Sequence, residues 1–140
     1  MKKIIPALFI MVIFSGELYA QKKGDKKPKA SKESSNSGKT NIKYGTASFY
    51  AKKFNGRRTR NDEVYNSTKY TAACNVLPLG TWIKVTNLHN HKTVIVRIND
   101  TMNPKNKRLV DLSGVAANDL GFLGRGLTRV KIEVLENFHL

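Results

Sequence analysis

Apolar side chains recur at every second position in three stretches of the second half of this 140-residue chain. In Thr128-Arg129-Val130-Lys131-Ile132-Glu133-Val134 the alternation is clean, with Thr128, Val130, Ile132 and Val134 on one face and charge on the other. A strand of that kind turns one side to a core and the other to water. Trp82 to Leu88 and Thr93 to Ile98 are rich in β-branched residues and read as two more strands. His89-Asn90-His91 sits between them, where a hairpin turn belongs. Gly45 to Tyr50 and Arg108 to Leu112 supply further short strands. One short helix is predicted after Ser113, a good N-cap, with Val115, Ala116, Ala117 and Leu120 facing the core and Gly121 ending it. Many short strands and one small helix suggest a compact, closed β-barrel, which leaves no strand edge exposed.

The first forty-three residues follow other rules. Lys2 and Lys3 precede the apolar run Ile4 to Phe14, and small or polar residues lead to Ala20, the pattern of a cleavable secretory signal over residues 1–20. The apolar run of 11 residues is too short for a transmembrane anchor, which needs about 20. No cysteine follows it, so a lipoprotein linkage there is not expected, and the mature chain is expected outside the cytoplasm. Residues 21–43 hold eight Lys and, in Ile42, one large apolar side chain, too little to offset the entropy of ordering. They are expected to form a basic, flexible linker, leaving 44–140 as the folded domain.

Charge narrows the partners. The chain carries 25 Lys and Arg against 10 Asp and Glu, a net +15. Eight Lys against Asp25 and Glu33 give the linker +6, and 15 basic against 7 acidic residues give 44–140 a net +8. Both parts favour anionic surfaces, including an anionic cell envelope approached through the Lys-rich linker. Export and the lack of a basic-aromatic binding motif argue against nucleic acid. A single cysteine excludes an internal disulfide framework and any Cys-based zinc cage. No Gly-rich phosphate loop is present, and no cofactor or metal is expected.

Two carboxylates stand out by context. Asp100 follows the apolar strand ending Val96-Arg97-Ile98 and opens into the loop Thr101-Met102-Asn103-Pro104. There it is either a partly desolvated general acid or an ordinary turn-capping residue. Glu63 lies in Arg57-Arg58-Thr59-Arg60-Asn61-Asp62-Glu63, where nearby cations keep it ionised. It is a stabiliser of positive charge or a plain surface ion pair. One protonated and one ionised carboxyl divide labour as glycosidic cleavage requires. Cys74 is a small buried thiol unless a base stands beside it. Tyr50 and Phe54 recur among Tyr44, Phe49, Gly45 and Gly56, and either stack on sugar rings or join the core. His89 and His91 read as turn-exposed rather than metal-bound.

These segments together resemble the rare lipoprotein A (RlpA-like) family over residues 44–135. The resemblance runs in order through Gly45-Thr46-Ala47-Ser48-Phe49-Tyr50, Phe54 to Thr59, Thr71-Ala72-Ala73 and Leu77 to Thr81. It continues through Val85 to Leu88, Val94 to Asp100, Arg108 to Ser113, and Gly126-Leu127 with Val130. It implies a mainly β fold, a six-stranded double-psi β-barrel with one or two short helices. It also implies a lytic transglycosylase of peptidoglycan that breaks the β-1,4 bond after N-acetylmuramic acid and closes a 1,6-anhydro ring without water. Asp100 would be the catalytic acid and Glu63 its electrostatic support, with Cys74, Tyr50, Phe54 and Arg58 contacting substrate. Three departures are visible. Cys74 stands where the family often has histidine, Thr101-Met102 replaces a frequent Arg-Gly, and neither a wall-binding SPOR domain nor a lipoprotein cysteine is expected. A thiol is neutral at pH 7 and cannot replace a cationic imidazole, so the alternative is a non-catalytic, expansin-like glycan-binding barrel.

Overall fold

The computed structural model describes residues 41–139, so the signal reading over 1–20 and nearly all of the linker reading lie outside the described residues. Six strands close into one barrel. They are β1 (Ile42–Phe49), β2 (Thr71–Ala73), β3 (Trp82–Asn87), β4 (Thr93–Asp100), β5 (Val110–Leu112) and β6 (Thr128–Val134), with a 3₁₀ turn at Lys52–Phe54 and one helix, α1 (Gly114–Asp119). Around the barrel the order is β1-β5-β2-β4-β3-β6, with β6 returning to β1. The β1–β5 and β2–β4 pairs are parallel, and the others are antiparallel. β1 begins at Ile42, so the last two residues assigned to the linker belong to the first strand.

The alternating positions do what their period dictates. Ile83 and Val85, Val94, Val96 and Ile98, and Val130 and Ile132 point inward and form the core with Ala47, Val110, Leu112 and Phe122. Asn87 breaks the apolar pattern at the end of β3 and is 1% exposed. Its amide donates to the Leu120 carbonyl at 2.8 Å, and its oxygen accepts from the Thr128 hydroxyl at 2.8 Å. A buried amide with both ends satisfied costs little.

α1 packs Ala116 and Ala117 on the barrel. It ends in a Schellman arrangement, Gly121 N–H donating to Asn118 O at 2.9 Å and Phe122 N–H to Ala117 O at 3.3 Å. Gly121 takes φ +72°, and a Cβ there would sit 2.9 Å from the Asn90 side-chain nitrogen. Ser113 occupies the N-cap position, but its side chain makes no capping bond and its buried hydroxyl has no partner among the described residues.

β2 has no periodic signature, because all three of its residues are buried. The register slips beside it: Ala72 pairs with Ile98 but Ala73 pairs with Asp100, which leaves Asn99 as an extra residue on β4. This bulge sets the level of Asp100, and bulges are a common device for re-aiming a side chain.

Candidate functional site

Asp100 sits where β4 leaves the barrel, and four separate parts of the chain hold it. Its Oδ2 accepts a 2.6 Å hydrogen bond from the Tyr50 hydroxyl at the end of β1. Its Oδ1 accepts from the backbone N–H of Arg60 at 2.8 Å and of Thr101 at 2.9 Å. Its carbonyl accepts from Cys74 N–H at 3.0 Å. β2 carries the floor of the site: Ala73 pairs with Asp100 on one side and with Asp111 of β5 on the other. Strands about 4.8 Å apart place the two aspartate backbones roughly 10 Å from each other.

A groove of about 610 Å³ opens over this floor, lined by Tyr50, Phe54, Arg58, Ala73, Asp100 and Asp111 among others. Tyr50 stacks on Tyr65 at 4.3 Å between ring centroids and meets Phe54 edge-on at 5.9 Å. Burial, and then the bond to Asp100, pushes the Tyr50 phenol far above its usual range, so it stays a donor. Burial also raises Tyr65, partly offset by the Gly114 N–H that its hydroxyl accepts at 3.3 Å. Arg108 grips Asp111 with two bonds, 2.7 and 2.8 Å, and Asp111 in turn raises the guanidinium. The pair fixes the Asp111 side chain beside the groove.

Glu63 lies elsewhere. It is not among the groove-lining residues, and its carboxylate is taken up by neighbours. Arg97 donates to both oxygens at 2.7 and 2.8 Å, Asn61 to Oε1 at 2.7 Å and Asn99 to Oε2 at 3.0 Å. Partial burial alone would raise this carboxyl. The bonds from Asn99, Arg97 and Asn61 outweigh it, and the net effect holds Glu63 below its usual range. Through Glu63, the 57–65 loop is fastened to β4, and Arg60 N–H is thereby presented to Asp100.

The sequence-derived set therefore divides. Asp100, Tyr50, Phe54 and Arg58 meet at the groove. Glu63 stands behind it. Cys74, expected as a substrate contact, is 0% exposed in the core, because its side chain points inward while only its N–H reaches Asp100. His89 and His91 are exposed at the β3–β4 turn. Asp111, Arg108 and Tyr65 also line the groove, and the sequence pattern gives them little signal. Alternation along Arg108-Leu109-Val110-Asp111-Leu112 puts Asp111 opposite the buried Val110 and Leu112, a weak signal in so short a strand. Among the described residues no group of three His, Cys, Asp or Glu is placed to hold a metal, and no helix is long and apolar enough to cross a membrane.

The closed six-stranded order with two parallel pairs defines a double-psi β-barrel. Residues 42–132 match the family described as lytic transglycolase, and the chain belongs to that family. The chain is 50% identical over 103 residues to the endolytic peptidoglycan transglycosylase RlpA of Haemophilus influenzae, covering 74% of this chain and 36% of that protein. To its Pseudomonas aeruginosa counterpart it is 47% identical over 92 residues, covering 66% and 27%. It thus spans about a third of the length of the curated relatives it matches. The fold is shared with an apo expansin of Clavibacter michiganensis (TM-score 0.59, 17% identity, 71% of this chain and 53% of that one). It is also shared with a Streptomyces papain inhibitor (TM-score 0.56, 17% identity, 69% and 96%).

Proposed function

We propose that this barrel is an exported lytic transglycosylase of peptidoglycan, with Asp100 as its acid and base. The observation that carries the reading is the placement of Asp100, anchored at the floor of an open groove with one oxygen bound, among the described residues, only by a hydroxyl. Relatives named as endolytic peptidoglycan transglycosylases supply the substrate class. In the reaction, protonated Asp100 gives its proton to the glycosidic oxygen as the C1–O4 bond breaks. The C6 hydroxyl of the muramyl residue then closes on C1, and its proton returns to the Asp100 carboxylate. No water is consumed, and the acid is regenerated.

The aromatic wall of Tyr50 and Phe54 suits the apolar face of a pyranose. Asp111 supplies negative charge near the site, as an oxocarbenium-like transition state favours. Glu63 acts at one remove, by fixing the 57–65 loop whose Arg60 N–H binds Asp100. Export accords with the signal reading of residues 1–20 and with a wall polymer as substrate.

One observation favours a second reading, a barrel that grips glycan without cutting it. With Cys74 in the core and Glu63 bound on both oxygens, neither supplies a free ionisable group to the groove. Incubation of the mature protein with purified peptidoglycan, followed by mass spectrometry of soluble products, separates the two. Anhydro-muropeptides that disappear in Asp100→Asn support cleavage. Retention on the polymer without release, lost when Tyr50 and Phe54 are replaced, supports binding alone.

A further inference from the structure

The two oxygens of Asp100 are not equivalent. Oδ1 is occupied by two backbone N–H groups, from Arg60 and Thr101, which cannot turn away without moving the chain. Among the described residues Oδ2 meets only the Tyr50 hydroxyl, a rotor that can donate to a carboxylate or turn to accept from a carboxylic acid. The phenol ring has little freedom of its own, held by the stack on Tyr65 and the edge of Phe54.

We propose that Tyr50 is a positioning residue that sets Oδ2 of Asp100 as the proton-exchanging oxygen and stabilises the charge left there when the proton departs. The proposal rests on the reading of Asp100 as the acid. When Oδ2 gives its proton to the leaving oxygen, the carboxylate gains negative charge, and the bond from Tyr50 becomes charge-assisted and stronger. When the C6 hydroxyl returns a proton to Oδ2, the phenol relaxes to its weaker partnership. The help is therefore largest at the moment of proton transfer, which is the condition for raising turnover rather than affinity. The phenol does not ionise in this cycle, since burial and Asp100 both hold it protonated. The other ionisable groups about it are Asp111, gripped by Arg108, Tyr65, and Arg58 of the groove lining, with Lys53 and Arg57 over the Phe54 ring.

The test is a ¹³C NMR titration of the Asp100 carboxyl in the full mature chain and in Tyr50→Phe, alongside turnover on peptidoglycan. Loss of the donor is expected to move the carboxyl titration to higher pH. It should also lower kcat about tenfold or more while KM changes less than about twofold. A protein with 3-fluorotyrosine at position 50, which keeps ring and hydroxyl but donates more strongly, should move the titration the other way and guards against a misfolded Tyr50→Phe. Superimposed titrations in all three proteins overturn the proposal. Displaced titrations without anhydro product from any of them uphold the Tyr50–Asp100 coupling and instead overturn the cleavage reading.

Discussion

Asp100 and Asp111 stand at one level of the barrel, on the two strands that flank β2, both registered on Ala73. Ala73, whose side chain is a single methyl group, lies between them in the sheet and lines the groove.

Ala73→Leu should therefore fill the floor. Ala73 is 2% exposed, so the added carbons must displace neighbours, and overpacking of this kind costs about 1–3 kcal/mol. Thermal denaturation reads that loss. Retention on insoluble peptidoglycan should fall in the same variant, more than in a destabilised control with equal melting temperature.

Glu63 predicts an acid limb in stability. Its folded-state carboxyl titrates below its unfolded value, so its contribution is complete above that unfolded value, about 4.3, and is lost as pH falls through the depressed one. Melting temperature should drop over that interval. In Glu63→Gln the drop should be shallower, and the neutral-pH melting temperature lower than that of the unaltered protein. Equal acid limbs in the two proteins would contradict the assignment.

Cys74 should be inert in the folded barrel. It is 0% exposed, and thiolate chemistry needs access. A chromogenic disulfide reagent should react only after denaturant is added, at a rate that tracks unfolding. Rapid labelling in native buffer would show that the thiol reaches solvent.

Gly121→Ala should cost about 1–2 kcal/mol, since alanine must adopt a positive φ. Its Cβ also meets the Asn90 amide at 2.9 Å. Asn90 donates to the Leu120 carbonyl, so the loss should spread to the β3–β4 turn. Hydrogen exchange of the Lys92 amide, which donates to Asn90 Oδ1, would report it.

The longer strands were legible because residues such as Val130 and Ile132 alternate with Arg129 and Lys131 over enough positions to fix a period. β2 was not, because Thr71-Ala72-Ala73 is short, buried throughout and paired across long sequence distances. The same reason hid part of the site. Asp100 announced itself by following an apolar strand, whereas its nearness to Asp111 depends on two strand pairings that both pass through β2. Glu63 has its carboxyl held below its usual range, but the cations beside it in sequence are not those that bind it. Arg97 does, from 34 residues away. Cys74, the residue after β2, turns inward, as a small thiol in an apolar setting does.

The ring of six strands has a consequence for company. Every strand has hydrogen-bonded neighbours on both sides, so no edge is vacant for a visiting peptide to extend the sheet. Whatever recruits or restrains this barrel must take hold through its connecting loops or its outward side chains, and changes confined to those surfaces can alter its associations without disturbing the frame.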